Sequence, residues 1–207
     1  MYQPAHFAEH DPETWLALMR AHPLATLVHH DASGQATIDP LPLRVTQQAD
    51  SMLLQGHVAR ANPLWRHADG QTVLAVFHGP QAYVSPGWYP SKAATGKAVP
   101  TWNYVLIECR ARLRAVDDPA WLRAFLDQLT VDHEAHRAPG WQLEDAPPDY
   151  MAAMLRGIVG VELQVQAVAA KFKLSQNRDP ADRQGVLAGL DAEPDPAAAA
   201  LAALMRR

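Results

Sequence analysis

The chain has 207 residues, with 18 Lys and Arg against 22 Asp and Glu, a formal charge of −4, and 48% hydrophobic residues. That balance excludes a disordered chain, argues against a protein whose affinity rests on neutralising nucleic-acid phosphates, and leaves enough length for a sizeable core. One cysteine, Cys109, excludes internal disulfides. No apolar run approaches the roughly 18 residues of a membrane helix, and the opening Met1-Tyr2-Gln3-Pro4 lacks the charged and apolar regions of a signal peptide, so a cytoplasmic protein is expected.

Asp11-Pro12 predicts a helix start, with an acidic N-cap followed by proline in the first turn, and the helix ends at His22-Pro23. Residues 24–28 and 35–45, joined by a turn at Asp31-Ala32-Ser33-Gly34, read as a hairpin. Pro40 and Pro42 mark its second arm as an edge or bulged strand. A strand over 51–58 and a short helix opening at Asn62-Pro63 follow. A strand over 71–77 then turns at Gly79-Pro80 into 82–84. The stretch 85–100, rich in proline and glycine, reads as a long loop of the kind that often carries function.

The clearest strand has Ile107, Cys109, Ala111 and Leu113 alternating with Glu108, Arg110, Arg112 and Arg114. Helices over 118–136 and 147–156 lead to a last strand at 159–167. Two C-terminal helices follow, the second alanine-rich and expected to fray. About seven strands, mostly hairpin-linked, predict an α+β fold of mainly antiparallel β with peripheral helices. Domain organisation reads as one domain over 1–193 and an alanine-rich tail over 194–207.

Several chemistries find no support. His133 and His136 are three apart rather than the four of the zinc-protease helix, and adjacent His29 and His30 point to opposite sides of a strand, so no metal site is expected. The glycines form no phosphate loop, Ser85 lies outside a GxSxG elbow, and Cys109 reads as a small core residue.

Three polar clusters near strand ends remain. The first, 56–63, holds His57, Arg60 and Asn62 where a strand passes into a helix, a place suited to a phosphate. The second holds Ser85, Trp88, Tyr89 and Lys92, then Thr101 and Asn103 on one side of the next strand; its aromatics can wall a planar ring. The third, Lys171 to Arg178, contains Lys173, Ser175 and Gln176. Taken singly each also reads as ordinary core or wet surface; together they suit a phosphorylated planar ligand.

The runs carrying these residues, Gly56-His57-Val58-Ala59-Arg60-Ala61-Asn62-Pro63, Trp88-Tyr89-Pro90-Ser91-Lys92, Val99-Pro100-Thr101-Trp102-Asn103-Tyr104 and Lys171-Phe172-Lys173-Leu174-Ser175-Gln176-Asn177-Arg178, also carry a resemblance. The chain resembles the PaiB-type FMN-binding proteins, often described as negative transcriptional regulators, in the FMN-binding split-barrel group that includes pyridoxamine-phosphate oxidases. The resemblance implies a homodimeric six-stranded split barrel binding FMN at the dimer interface. It also implies phosphate contacts from the segment with Arg60 and Asn62, and a further cofactor or seam role for residues 85–103. Relatives usually show a histidine where this chain has Asp39, and a carboxylate there would repel a phosphate. The functional alternatives are a flavin-dependent oxidoreductase acting on an unknown small molecule, a DNA-binding regulator, and a barrel that has lost its flavin or holds haem. Net acidity and the lack of a helix-turn-helix or zinc-finger spacing speak against direct DNA binding.

Overall fold

The computed structural model describes residues 1–48 and 51–207. In chain order the elements are β1 (Ala8–Glu9), α1 (Pro12–Ala21), β2 (Leu24–His30), β3 (Ala36–Pro42), β4 (Arg44–Gln48), β5 (Ser51–Ala59), α2 (Leu64–His67), β6 (Thr72–Val84), α3 (Pro90–Thr95), β7 (Thr101–Val116), α4 (Pro119–Glu134), α5 (Pro148–Arg156), β8 (Ile158–Lys173), α6 (Pro180–Ala192) and α7 (Pro196–Met205). The fold is mixed α+β, and the registered pairings β1–β8, β2–β3, β2–β6, β4–β5 and β5–β8 are all antiparallel.

Among the described residues the sheet has eight strands rather than the expected six, ordered β3-β2-β6-β7-β8-β5-β4 with β1 on β8. The extra strands have local causes. Pro40 and Pro42 cannot donate to a ladder, so the second hairpin arm stops at Pro42 and Leu43 N–H turns to the Pro23 carbonyl (2.9 Å). The chain then resumes as β4, paired with β5. β3 lies at one end of the strand order, where its prolines are tolerated.

The chain divides into two compact units, and β6, β7 and β8 contribute residues to both. The first comprises 1–22, 77–108 and 169–207. Here the helix predicted from Asp11-Pro12 forms, with the Asp11 carboxylate accepting from the Glu13 and Thr14 N–H groups. No turn forms at Gly79-Pro80: β6 runs straight through. The reason is packing, because Leu18 and Val105 crowd Gly79 so closely that an added Cβ would lie 2.9 Å from the Val105 Cβ. The stretch 85–100 is also more ordered than a loop, holding a 3-10 turn (Pro86–Trp88) and α3, which Gly96 ends in the left-handed region (φ 69°). α7 does not behave as a fraying tail. Ala198, Leu201, Ala202 and Met205 are buried and the helix packs on α6.

The second unit comprises 23–76 and 109–168. Leu27, Leu54, Ala75, Leu113, Val161 and Leu163 form its core, and each fully buried Val or Leu there is worth about 1.5–3 kcal/mol. β3 and β4 stand at opposite ends of the strand order yet follow one another in the chain. Gly56 on β5 lets Pro42 and Leu43 come close, since a Cβ there would sit 3.0 Å from the Pro42 carbonyl oxygen. Trp121 of α4 covers β8 at Gly160 in the same manner.

Candidate functional site

The residues singled out by sequence fall into two groups, one in each unit. In the second unit, β5 delivers His57, Arg60 and Asn62 to the turn before α2. Four of the five Arg60 guanidinium N–H donors are engaged there. The Arg60 Nη1 and Nη2 donate to the two Asp117 carboxylate oxygens (2.7 and 2.6 Å), its Nε to the Arg156 carbonyl (2.7 Å) and its Nη2 also to the Ile158 carbonyl (3.1 Å). This fork-on-carboxylate pairing holds the Asp117 carboxyl below the usual carboxylate range and raises Arg60 further.

Asn62 acts as a local brace. Its Oδ1 accepts from the Leu64 N–H (2.8 Å) and its Nδ2 donates to Asp39 (2.7 Å). The other Asp39 oxygen meets Nε2 of the buried His29 at 2.8 Å. The acid that departs from the family pattern is therefore matched by an imidazole and an amide. His57 packs edge-on to Phe125, with ring centroids 5.9 Å apart, and burial pushes its pKa below the ordinary histidine value.

In the first unit the end of β8 brings cations together. Lys171 and Lys173, two apart, share one side of the strand, and both ammonium groups lie over the Tyr104 ring at 5.3 and 5.9 Å. Lys173 donates to the Thr101 hydroxyl and to the Trp102 carbonyl (2.6 Å), and Lys171 to the Tyr2 carbonyl (3.1 Å). Arg178 lies over the Tyr89 ring at 4.6 Å. Among the described residues none of these three cations forms an ion pair with a carboxylate; the acid whose charge reaches Arg178, Asp182, is itself bound by the Ser91 hydroxyl and N–H. Burial pushes the Lys173 ammonium below the usual lysine range; Tyr104 opposes this, while the Lys171 and Arg178 charges add to it. Such a group gains from an incoming anion. On adjoining strand positions Trp102 and Tyr83, about half exposed, meet edge to face with centroids 6.2 Å apart.

The other candidates of this unit are mostly structural in their contacts. Trp88 does not face open space: it lies in a groove of α6 made by Gly185 and Gly189, where a Cβ on Gly189 would fall 2.2 Å from the indole. Ser85 caps the Gly87 N–H (3.1 Å), and Lys92 is exposed. Asn103, fully buried, exchanges hydrogen bonds with the Ser175 hydroxyl (2.9 and 3.3 Å), which holds Ser175 at φ 61° in the turn leaving β8. Gln176 closes the same turn by accepting from the Leu174 N–H (2.7 Å) and donating to the Phe172 carbonyl (2.5 Å). The Tyr89 hydroxyl is buried and has no hydrogen-bond partner among the described residues. Thr101, Lys173, Ser175 and Gln176 are thus brought together with Asn103. The sequence places Lys171 and Arg178 in the third cluster and Tyr104 at the end of the second without marking any of them as a cofactor contact, and gives no sign of the partners Asp117 and Asp182.

A phosphate needs convergent donors and a flavin ring needs flat apolar walls. Lys173 retains one ammonium hydrogen beyond its two protein contacts, and exposed aromatic surface adjoins it, so these residues fit a phosphorylated planar group.

Comparison with known proteins agrees with that chemistry. Residues 1–167 match the family described as "Putative FMN-binding domain". The chain is 31% identical over 211 residues to the protease synthase and sporulation protein PAI 2 of Bacillus subtilis (strain 168), covering 99% of this chain and 96% of that one. In fold it is similar to the flavocytochrome Anf3 from Azotobacter vinelandii, with a TM-score of 0.61, 16% identity, and coverage of 80% of this chain and 69% of that one. It is likewise similar to the FAD and heme binding protein from Mycobacterium smegmatis, with a TM-score of 0.59, 16% identity, and coverage of 88% and 80%. At such identity these two structures share its fold.

Proposed function

Because this chain belongs to the FMN-binding domain family, with FMN as its cofactor, we propose that it is a homodimeric split-barrel flavoprotein in which the cations at the end of β8 hold the FMN phosphate. The observation that carries the reading is the convergence of Lys171, Lys173 and Arg178 without a carboxylate ion pair among the described residues. Thr101 orients the Lys173 ammonium, and the Asn103–Ser175 pair with Gln176 fixes the turn that aims it. Trp102 and Tyr83 offer the wall for the ring system, completed by the second subunit.

Arg60, Asn62 and His57 frame the strand-to-helix turn, and Ser85, Trp88, Tyr89 and Lys92 shape the segment before Thr101. When bound, the flavin supplies the redox chemistry, so the protein need contribute only binding, orientation and electrostatics. Any regulatory role, as in the PaiB-type proteins the sequence resembles, proceeds through a partner or a small molecule rather than by direct grip on DNA, given the −4 charge. No described helix is long and apolar enough to cross a membrane.

The test is a visible absorption spectrum of freshly purified protein, with gel filtration alongside. A yellow dimer is expected; a colourless protein that leaves added FMN fluorescence unquenched overturns the reading.

A further inference from the structure

Of the cations at the end of β8, Lys171 does not lie open: the first residues of the chain cover it, and the cofactor reading leaves them without a task. Tyr2 supplies the cover. Its carbonyl accepts from the Lys171 ammonium (3.1 Å), and its ring lies 5.6 Å from the same nitrogen. Lys171 is only 9% exposed, whereas Tyr2 is 84% exposed. Tyr2 therefore shields a buried cation without itself being held in a core.

The segment that carries Tyr2 is fastened in two different ways. Near its start the Met1 ammonium meets the Glu108 carboxylate (3.2 Å), and the Gln3 side-chain amide donates to the Ala170 carbonyl (2.5 Å). Both are polar contacts that water can replace at modest cost. Farther on, Phe7 is buried, and Ala8 and Glu9 of β1 pair with Lys171 and Ala170 of β8. Water is no substitute for the burial of a phenyl ring. Residues 1–7 thus form a strap with a firm end at Phe7 and two latches beside Tyr2.

With the latches closed, one Lys171 ammonium hydrogen is committed to Tyr2 and little of the residue is reachable from solvent. Tyr2 must swing aside before Lys171 can meet an ion as large as phosphate, and again before that ion can leave.

We propose that residues 1–7 gate the cofactor cluster, with Tyr2 as the cover and the Gln3 and Met1 contacts as latches, so that opening of the strap sets how fast FMN enters and leaves. This gate rests on the reading that Lys171, Lys173 and Arg178 hold the FMN phosphate, and it adds control over exchange at that same site.

Stopped-flow fluorescence on the full chain tests this in both directions. Quenching of FMN on mixing with flavin-stripped protein reads entry, and fluorescence regained on dilution of the loaded protein reads release. Tyr2→Ala removes the ring and keeps the backbone carbonyl; Gln3→Ala combined with Glu108→Gln removes both latches. Each should raise entry and release by roughly threefold or more. Equilibrium affinity should shift by less than about threefold, with the circular dichroism spectrum native. Tyr2→Phe, which keeps the ring, should leave both rates near those of the natural chain. Unchanged entry in either the Tyr2→Ala or the latch variant overturns the proposal. So does faster release without faster entry, the mark of a lost binding contact rather than an opened gate. The cofactor reading fails by a different sign, native FMN affinity in Lys173→Met. An inert strap beside a Lys173→Met chain that has lost FMN strikes the gate alone.

Discussion

Two cationic regions invite a phosphate, and they differ in what already surrounds the charge. At the turn before α2, Arg60 presents the bidentate fork that anions favour, but Asp117 and two backbone carbonyls have taken it. At the end of β8, Lys173 is a less specific donor by chemistry, yet it is part-buried, pushed toward its neutral form by burial, and attended by two further cations. The residue type best suited to phosphate sits where its charge is neutralised. The weaker type sits where charge is in excess, and availability decides between them.

Replacing Lys173 by Met should have the largest effect on that comparison. Loss of one charge-assisted contact is worth about 1.5–3 kcal/mol, so FMN affinity should fall about tenfold to a hundredfold in a fluorescence-quenching titration. Gly189→Ala comes next. The added methyl forces Trp88 out of its groove, with an overpacking cost of about 1–3 kcal/mol by denaturant unfolding, and it should weaken FMN because Tyr89 beneath Arg178 moves with it. Gly56→Ala, crowded in the other unit by Pro42 and Leu43, should lower stability and leave FMN affinity intact.

Arg60→Ala should lower the melting temperature while shifting FMN affinity less than about threefold, under the 1.4 kcal/mol of a decade. The simple reading of an arginine beside a helix start would instead give at least tenfold. The hydrogen bonds from Arg60 hold the Asp117 carboxyl below its ordinary value of 3.8. Its stabilising contribution is therefore complete above that pH and lost as pH falls below it, and this acid limb should vanish in Arg60→Ala.

The smallest effect concerns His57. Burial holds its pKa beneath the ordinary 6.5, so the unfolded chain binds the proton more readily and stability is full above that value and declines as pH falls. His57→Phe should flatten the slope between about pH 6.5 and pH 5, measured by urea unfolding at fixed pH steps.

The parts of the fold legible from sequence were those set by local pattern. Alternation along 107–114 announced β7, Asp11-Pro12 announced α1, and Pro40 and Pro42 announced an edge. The misread places were governed by distant partners. Gly79-Pro80 looks like a turn until Leu18 and Val105 are seen to require a glycine within a continuous strand, and the segment 85–100 looks like a loop until α6 supplies a groove for Trp88. The candidate site divides in the same way. Lys173, Thr101 and Asn103 were visible as polar residues in strand-end segments, whereas the capture of Arg60 by Asp117, 57 positions away, leaves no trace in local spacing. Residue type shows what a side chain can bind, and the fold decides what it is left free to bind.

The most direct test is a paired titration of FMN against the Lys173→Met and Arg60→Ala variants, each checked for a native circular dichroism spectrum. A loss of tenfold or more in the lysine variant beside near-native affinity in the arginine variant is the expected result. Near-native binding by Lys173→Met with a tenfold loss in Arg60→Ala would contradict it and move the phosphate to the turn before α2.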